Sequence, residues 1–132
     1  MGGQTVGMRG GGTPTTPEEF FAGHPGGWDL YAAARAAIDA CGPCEVRVSV
    51  SQIGFRRRRG FAYVWRPGRW LAHPQADVVL SIALPRQVES PRFKQVAHPS
   101  AAVWMHHLEL RGQGDVDDEV RGWLAEAYAA AS

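Results

Sequence analysis

Residues 52–67 read Q-I-G-F-R-R-R-R-G-F-A-Y-V-W-R-P: two short apolar runs, Ile53–Phe55 and Phe61–Trp65, either side of four arginines and a glycine. Apolar runs of strand length around a charged, glycine-bearing tip are the pattern of a β-hairpin. Gly60 is the residue expected to supply a positive φ at the bulged turn. The second run predicts a strand with Phe61, Tyr63 and Trp65 on one face and Ala62, Val64 and Arg66 on the other. Periodicity leaves open which of these faces is buried.

Outward from the hairpin, Glu45–Ser51 alternates, with Val46, Val48 and Val50 opposite Arg47, Ser49 and Ser51. On the other side, Trp70-Leu71 reads as a short strand and Asp77–Leu84 as a clearer one, with Val78, Leu80, Ile82 and Leu84 inward. Phe93–Val96 is a weak strand ending before Pro99, and Val103–Leu110 places Trp104, His106, Leu108 and Leu110 on one face and Met105, His107 and Glu109 on the other. Helical signals flank this block. Thr16-Pro17-Glu18-Glu19 is a capping box with proline in the first turn, opening a short helix that carries Phe20 and Phe21. Trp28, Tyr31, Ala34 and Ile38 recur at helical spacing from Trp28 to Ala40, with Gly42 and Pro43 as the stop. Asp115 is the expected cap of a last helix reaching about Ala130, with Val116, Val120, Trp123, Leu124, Ala127 and Tyr128 as its apolar stripe. The expected fold is α+β: a two-layer sandwich of a mainly antiparallel sheet of about five strands, with an N-terminal and a C-terminal helix on one face. The links between strands look too short for a crossover.

At 132 residues and 45% hydrophobic content, residues 16–132 are expected to form one domain with its own core. Residues 1–15 hold six glycines and few apolar residues, a composition that does not offset the entropy of ordering and reads as a disordered tail. No apolar run reaches the roughly 18 residues of a membrane span, and no secretory signal opens the chain, so the expected compartment is the cytoplasm.

The net charge of +1 conceals an asymmetry: residues 46–94 hold ten basic side chains against two acidic ones, and the remainder holds four against eleven. A basic middle attracts anions, or guards a sheet edge against pairing with other chains. The candidate anion-binding residues are Arg56, Arg58, Arg66, Arg92, Lys94 and His107, for a nucleic acid or an anionic small molecule. Tyr63, Trp65, Trp104 and His106 are candidates for a pocket, the alternative reading being a small-molecule or enzymatic site on the histidine strand, and a third a homodimer or partner interface through the aromatic row. Phe61, Tyr63 and Trp65 suit either a base-stacking platform or plain core.

Cys41-Gly42-Pro43-Cys44 has the spacing of a redox motif. Here, however, the first cysteine closes a helix instead of opening one, and a helix C-terminus disfavours a thiolate. Two cysteines without a companion histidine pair make no zinc site. His106 and His107, adjacent on a strand, point to opposite faces and cannot share a metal. No G-x-S-x-G or comparable nucleophile motif accompanies them, no catalytic residue is assigned, and the reading requires no cofactor.

Taken together, Thr16–Phe21, Gly42-Pro43 with Glu45–Val48, Ser51–Ala62, Trp104–Leu110 and Asp115–Val120 with Trp123-Leu124 and Ala127-Tyr128 resemble the uncharacterised bacterial family "domain of unknown function 5655". That resemblance implies a compact domain of helices and strands and carries over no catalytic residue.

Overall fold

The computed structural model describes residues 13–67 and 76–132. Most of the glycine-rich segment and the strand expected at Trp70-Leu71 lie outside the described residues. Helices α1 (Pro17–Phe20) and α2 (Pro25–Asp39) come first, then six strands, β1 (Glu45–Val48), β2 (Ile53–Arg56), β3 (Gly60–Trp65), β4 (Val78–Leu84), β5 (Phe93–Ser100) and β6 (Val103–Leu110), and finally α3 (Asp118–Ala130). The strands form one antiparallel sheet in the order β1-β2-β3-β4-β6-β5. The fold is α+β with helices from both ends of the sequence, and the described residues form six strands where about five were expected.

The apolar pattern decides which side of the sheet the helices take. Ile53, Phe55, Ala62, Val64, Val78, Leu80, Ile82, Leu84, Leu108 and Leu110 are buried together with Leu30, Tyr31, Ala34 and Ile38 of α2 and Val120, Trp123, Leu124 and Ala127 of α3. Side chains of this size each contribute roughly 1.5–3 kcal/mol on full burial, so this layer dominates stability. The capping box at α1 forms as expected: Thr16 Oγ1 accepts from the Glu19 N–H at 3.1 Å and Glu19 Oε1 accepts from the Thr16 N–H at 3.1 Å.

Four details depart from the sequence reading. First, β3 carries a β-bulge: Phe55 pairs with Ala62 but Arg56 with Gly60. The extra residue, Phe61, turns to the helices, fully buried, its ring 5.3 Å from that of Tyr128 in α3. Only Tyr63 and Trp65 remain on the open face. Second, Gly60 has no positive φ. It is small because the Tyr63 hydroxyl lies where its Cβ would be.

Third, β4 and β5 both run antiparallel to β6, which lies between them, so the 85–92 segment is a crossover after all. It suffices because β5 starts opposite Leu108 while β4 ends opposite Trp104, a short return for eight extended residues at about 3.3 Å each. β5 also continues through Pro99, which an edge strand tolerates. Fourth, the cap of α3 is Asp117, whose carboxylate accepts from the Val120 N–H at 3.1 Å, while Asp115 closes the preceding turn by accepting from the Arg111 and Gly112 N–H groups.

Candidate functional site

The arginine tip does two things. Arg57 and Arg58 join the hairpin to the end of α3: the Arg57 guanidinium donates to the Tyr128 carbonyl at 2.9 Å and lies 4.0 Å from its ring, and the Arg58 N–H donates to the Ala131 carbonyl at 2.9 Å. These carbonyls lie at the negative end of a helix, which a cation suits. The other guanidinium groups stand apart from the helix. Arg56 donates to the Arg58 carbonyl at 3.2 Å and lies 3.7 Å from Glu45, while the side chains of Arg58 and Arg59 have no hydrogen-bond or ion-pair partner among the described residues.

Beside this tip the open face holds a cavity of about 170 Å³ lined by Arg47, Ser49, Gln52, Arg56, Gly60 and Tyr63, among others. Its floor follows from sequence. Gly54 and Gly60 have no side chains, and the Tyr63 ring packs over both, 3.3 Å from the Cβ position of Gly54. Glu45 holds the two walls, 3.2 Å from Arg47 and 3.7 Å from Arg56. Such exposed pairs contribute about 0–1 kcal/mol each, so an incoming anion displaces little.

At the centre of the same face, Trp65 Nε1–H donates to Ser81 Oγ at 2.9 Å, and Ser81 Oγ is 2.6 Å from His107 Nδ1. The Trp65 and His107 rings meet edge to face at 6.1 Å. Burial, and then the neighbouring His106, hold the His107 pKa below the usual imidazole value. A serine beside a histidine invites comparison with an activated nucleophile, but Ser81 is only 2% exposed and its Oγ already accepts from Trp65. The pairing escaped the sequence reading because Ser81 and His107 are twenty-six residues apart; only the β4–β6 register brings them together.

His106 is fully buried on the helix side. Its Nδ1–H donates to the Trp104 carbonyl at 2.9 Å, and its Nε2 accepts from the Val88 N–H at 3.0 Å, pinning the crossover to the sheet. Burial lowers its pKa, offset in part by hydrogen bonds to Trp104 and Ile82. Trp104, also on the helix side, stacks on His98 at 3.8 Å. The structure therefore separates the four pocket candidates, Tyr63 and Trp65 to the open face, Trp104 and His106 to the other.

The cationic candidates are separated too. Arg92 is enclosed at the start of α3, donating to Asp117 at 3.0 and 3.1 Å, to Glu119 at 2.9 Å and to the Asp115 carbonyl at 2.9 Å. Arg66 donates to the Phe20 carbonyl at 3.4 Å, with its guanidinium 6.0 Å from the Phe20 ring. Lys94 lines a shallow depression of about 350 Å³ with Arg92, Glu109, Arg111 and Asp115 at the β5 edge. Four strand spacings, roughly 19 Å, lie between β5 and the Arg56 strand. Arg47, which the sequence reading left aside, completes the corner that Arg56 and Arg58 begin.

Cys41 and Cys44 are free and half-buried, and burial raises both thiol pKa values. The Gly-Pro turn between them serves packing: Gly42 has φ 141°, and the Tyr128 hydroxyl occupies its Cβ position and donates to the Pro43 carbonyl at 2.8 Å. Among the described residues no group of three or more His, Cys, Asp or Glu is placed to hold a metal ion, and no helix is long and apolar enough to cross a membrane.

No curated protein and no solved structure matches the chain. A family model does, over residues 18–131, a span that includes both helical ends, the arginine hairpin and the histidine strand. The chain belongs to the family described as Domain of unknown function (DUF5655).

Proposed function

We propose that this domain is a non-catalytic binding module that takes a phosphate-bearing ligand at the corner formed by β1, β2 and β3. The observation that carries the reading is the cavity walled by Arg47 and Arg56 and floored by Tyr63, next to Arg58 and Arg59, whose side chains have no hydrogen-bond or ion-pair partner among the described residues. Guanidinium groups match phosphate oxygens through paired N–H donors. The wall arginines are held by an exposed carboxylate, and Arg56 also by the Arg58 carbonyl, so the anion adds contacts to groups already in position. An edge guard alone would account for positive charge at the tip, but not for a concave site behind it.

The test is binding of labelled polyphosphate, single-stranded and duplex oligonucleotides at two salt concentrations, comparing the native chain with Arg47→Ala and with Arg56→Ala/Arg58→Ala. Binding at low salt that weakens steeply as salt rises is expected, with at least a tenfold loss in the double variant. Absence of binding to every probe at low salt, or binding indifferent to all three substitutions, would overturn the proposal.

A further inference from the structure

The strand registers align one residue from each strand in a single row across the open face: Arg47, Gly54, Tyr63, Ser81, His107 and Gln95. Apart from the glycine, every member carries a hydrogen-bonding group; that of Ser81, 2% exposed, is engaged by Trp65 and His107 and serves to orient them. From β3 to β5 the neighbouring rows on this face are mostly apolar, Trp65–Val79–Glu109 on one side and Ala83–Met105–Ala97 on the other, while on β1 and β2 the row is flanked by Glu45 and Arg56. A polar stripe therefore crosses the sheet at right angles to the strands, with mostly apolar ground beside it from β3 to β5 and the charged corner at its β1 end. From Arg47 to His107 it covers four strand spacings, roughly 19 Å.

The stripe has a chemical direction. Its β1 end is cationic. Its middle is aromatic, with Tyr63 in the row and Trp65 beside it. At His107 it presents a donor fixed by its neighbours. Indole N–H is a donor only, so Ser81 Oγ accepts from Trp65. The Ser81 hydroxyl proton then goes to His107 Nδ1, the other heavy atom within reach of Oγ. This leaves the imidazole proton on Nε2, which has no hydrogen-bond partner among the described residues.

We infer that the Arg47–Gln95 row is one continuous track for a short single strand of nucleic acid, its phosphates at Arg47 and Arg56, its bases against Tyr63 and Trp65, and a base acceptor on His107 Nε2–H. The inference rests on the anion-binding corner proposed above and names what occupies it. Three features select this ligand. Phosphate and flat, acceptor-bearing rings occur together in nucleotides, whereas polyphosphate lacks the rings. The span from the arginine walls to His107 exceeds one nucleotide. A duplex hides its base faces, and aromatic platforms on open sheets act on unstacked bases. An acidic peptide is the poorer fit, because extended peptides pair with the edge of a sheet and do not cross its face.

The test measures binding by fluorescence anisotropy at low salt, using thymidine and adenosine oligonucleotides from about two to about eight residues, a duplex and polyphosphate. The proteins are the native chain, Arg47→Ala, His107→Phe, Ser81→Ala and Gln95→Ala, each checked for its unfolding midpoint. Single-strand affinity is expected to rise with length until the track is filled and then level off. His107→Phe is expected to weaken the single strand about tenfold, in the range of a lost base contact, and to leave polyphosphate unchanged. Ser81→Ala, which frees the imidazole to turn, should show a smaller loss in the same direction, and Arg47→Ala should weaken both probes. If polyphosphate binds as tightly as the single strand, if the duplex binds more tightly, or if His107→Phe and Ser81→Ala leave the single strand unaffected while Arg47→Ala weakens it, the track is overturned and the corner stands. If nothing binds at low salt, both fall.

Discussion

His106 and His107 are neighbours in sequence and opposite in circumstance. On the helix-covered face, His106 has both ring nitrogens engaged by backbone groups, Trp104 on one side and Val88 on the other. On the open face, His107 has one nitrogen held by Ser81 and the other without a partner among the described residues. The covered face uses a polar side chain as a tether, and the open face uses one as a display. Polar atoms behind the helices are therefore expected to govern stability, and those in front of the sheet to govern binding.

The largest effect is expected in the covered layer. Leu80→Ala, which leaves a cavity beneath the helices, should lower unfolding free energy by about 2–5 kcal/mol in a denaturant titration, whereas Ser81→Ala, one residue along on the open face, should lower it by about 1 kcal/mol. Equal losses at the two positions would break the comparison.

Next comes the histidine pair. His106→Phe orphans the buried Val88 N–H and should be destabilising by about 1–3 kcal/mol. His107→Phe removes one part-buried hydrogen bond from a Ser81 hydroxyl that still accepts from Trp65, and should cost about 1 kcal/mol. The same pair sharpens the contrast through pH. Both pKa values are held below the ordinary imidazole value of about 6.5, so on acidification the unfolded chain takes up protons before the folded one does. Stability is then complete above that value and is lost as pH falls below it. The melting temperature should fall between pH 7 and pH 5, and His106→Phe should flatten that slope.

The smallest effect separates two adjacent arginines. Arg57→Ala loses the contact with the end of α3 and should be destabilising by about 0.5–1 kcal/mol. Arg58→Ala should leave the unfolding midpoint unchanged and act on ligand binding alone.

Much of the covered face was legible in the chain, because burial leaves a local record. Val78, Leu80, Ile82 and Leu84 alternate as a strand must, Val120, Trp123, Leu124 and Ala127 recur as a helix must, and Thr16 with Glu19 spells a cap. The open face leaves no such record. Ser81 meets His107, and Arg47 falls in line with Tyr63, only through registers between strands distant in sequence. Phe61 shows the limit within one strand: alternation places it with Tyr63 and Trp65, and a single bulge moves it to the core. Charge counting likewise grouped Arg92 with Arg56, although Asp117 and Glu119 already enclose Arg92 at the far edge.

The crossover pinned by His106 also bears on how the chain assembles. β6 occupies the slot between β4 and β5 although it is the last strand to emerge, and α3, which packs across β3 and β4, follows it. The β5–β6 hairpin closes a short loop and is fast to form; its docking beside β4 joins residues more distant in sequence and is the slower event. The expected route is a preformed hairpin that docks as one piece, with α3 sealing the layer last. Amide protons shared between β4 and β6 should then exchange only when the whole molecule opens, and those of the β1 edge much sooner.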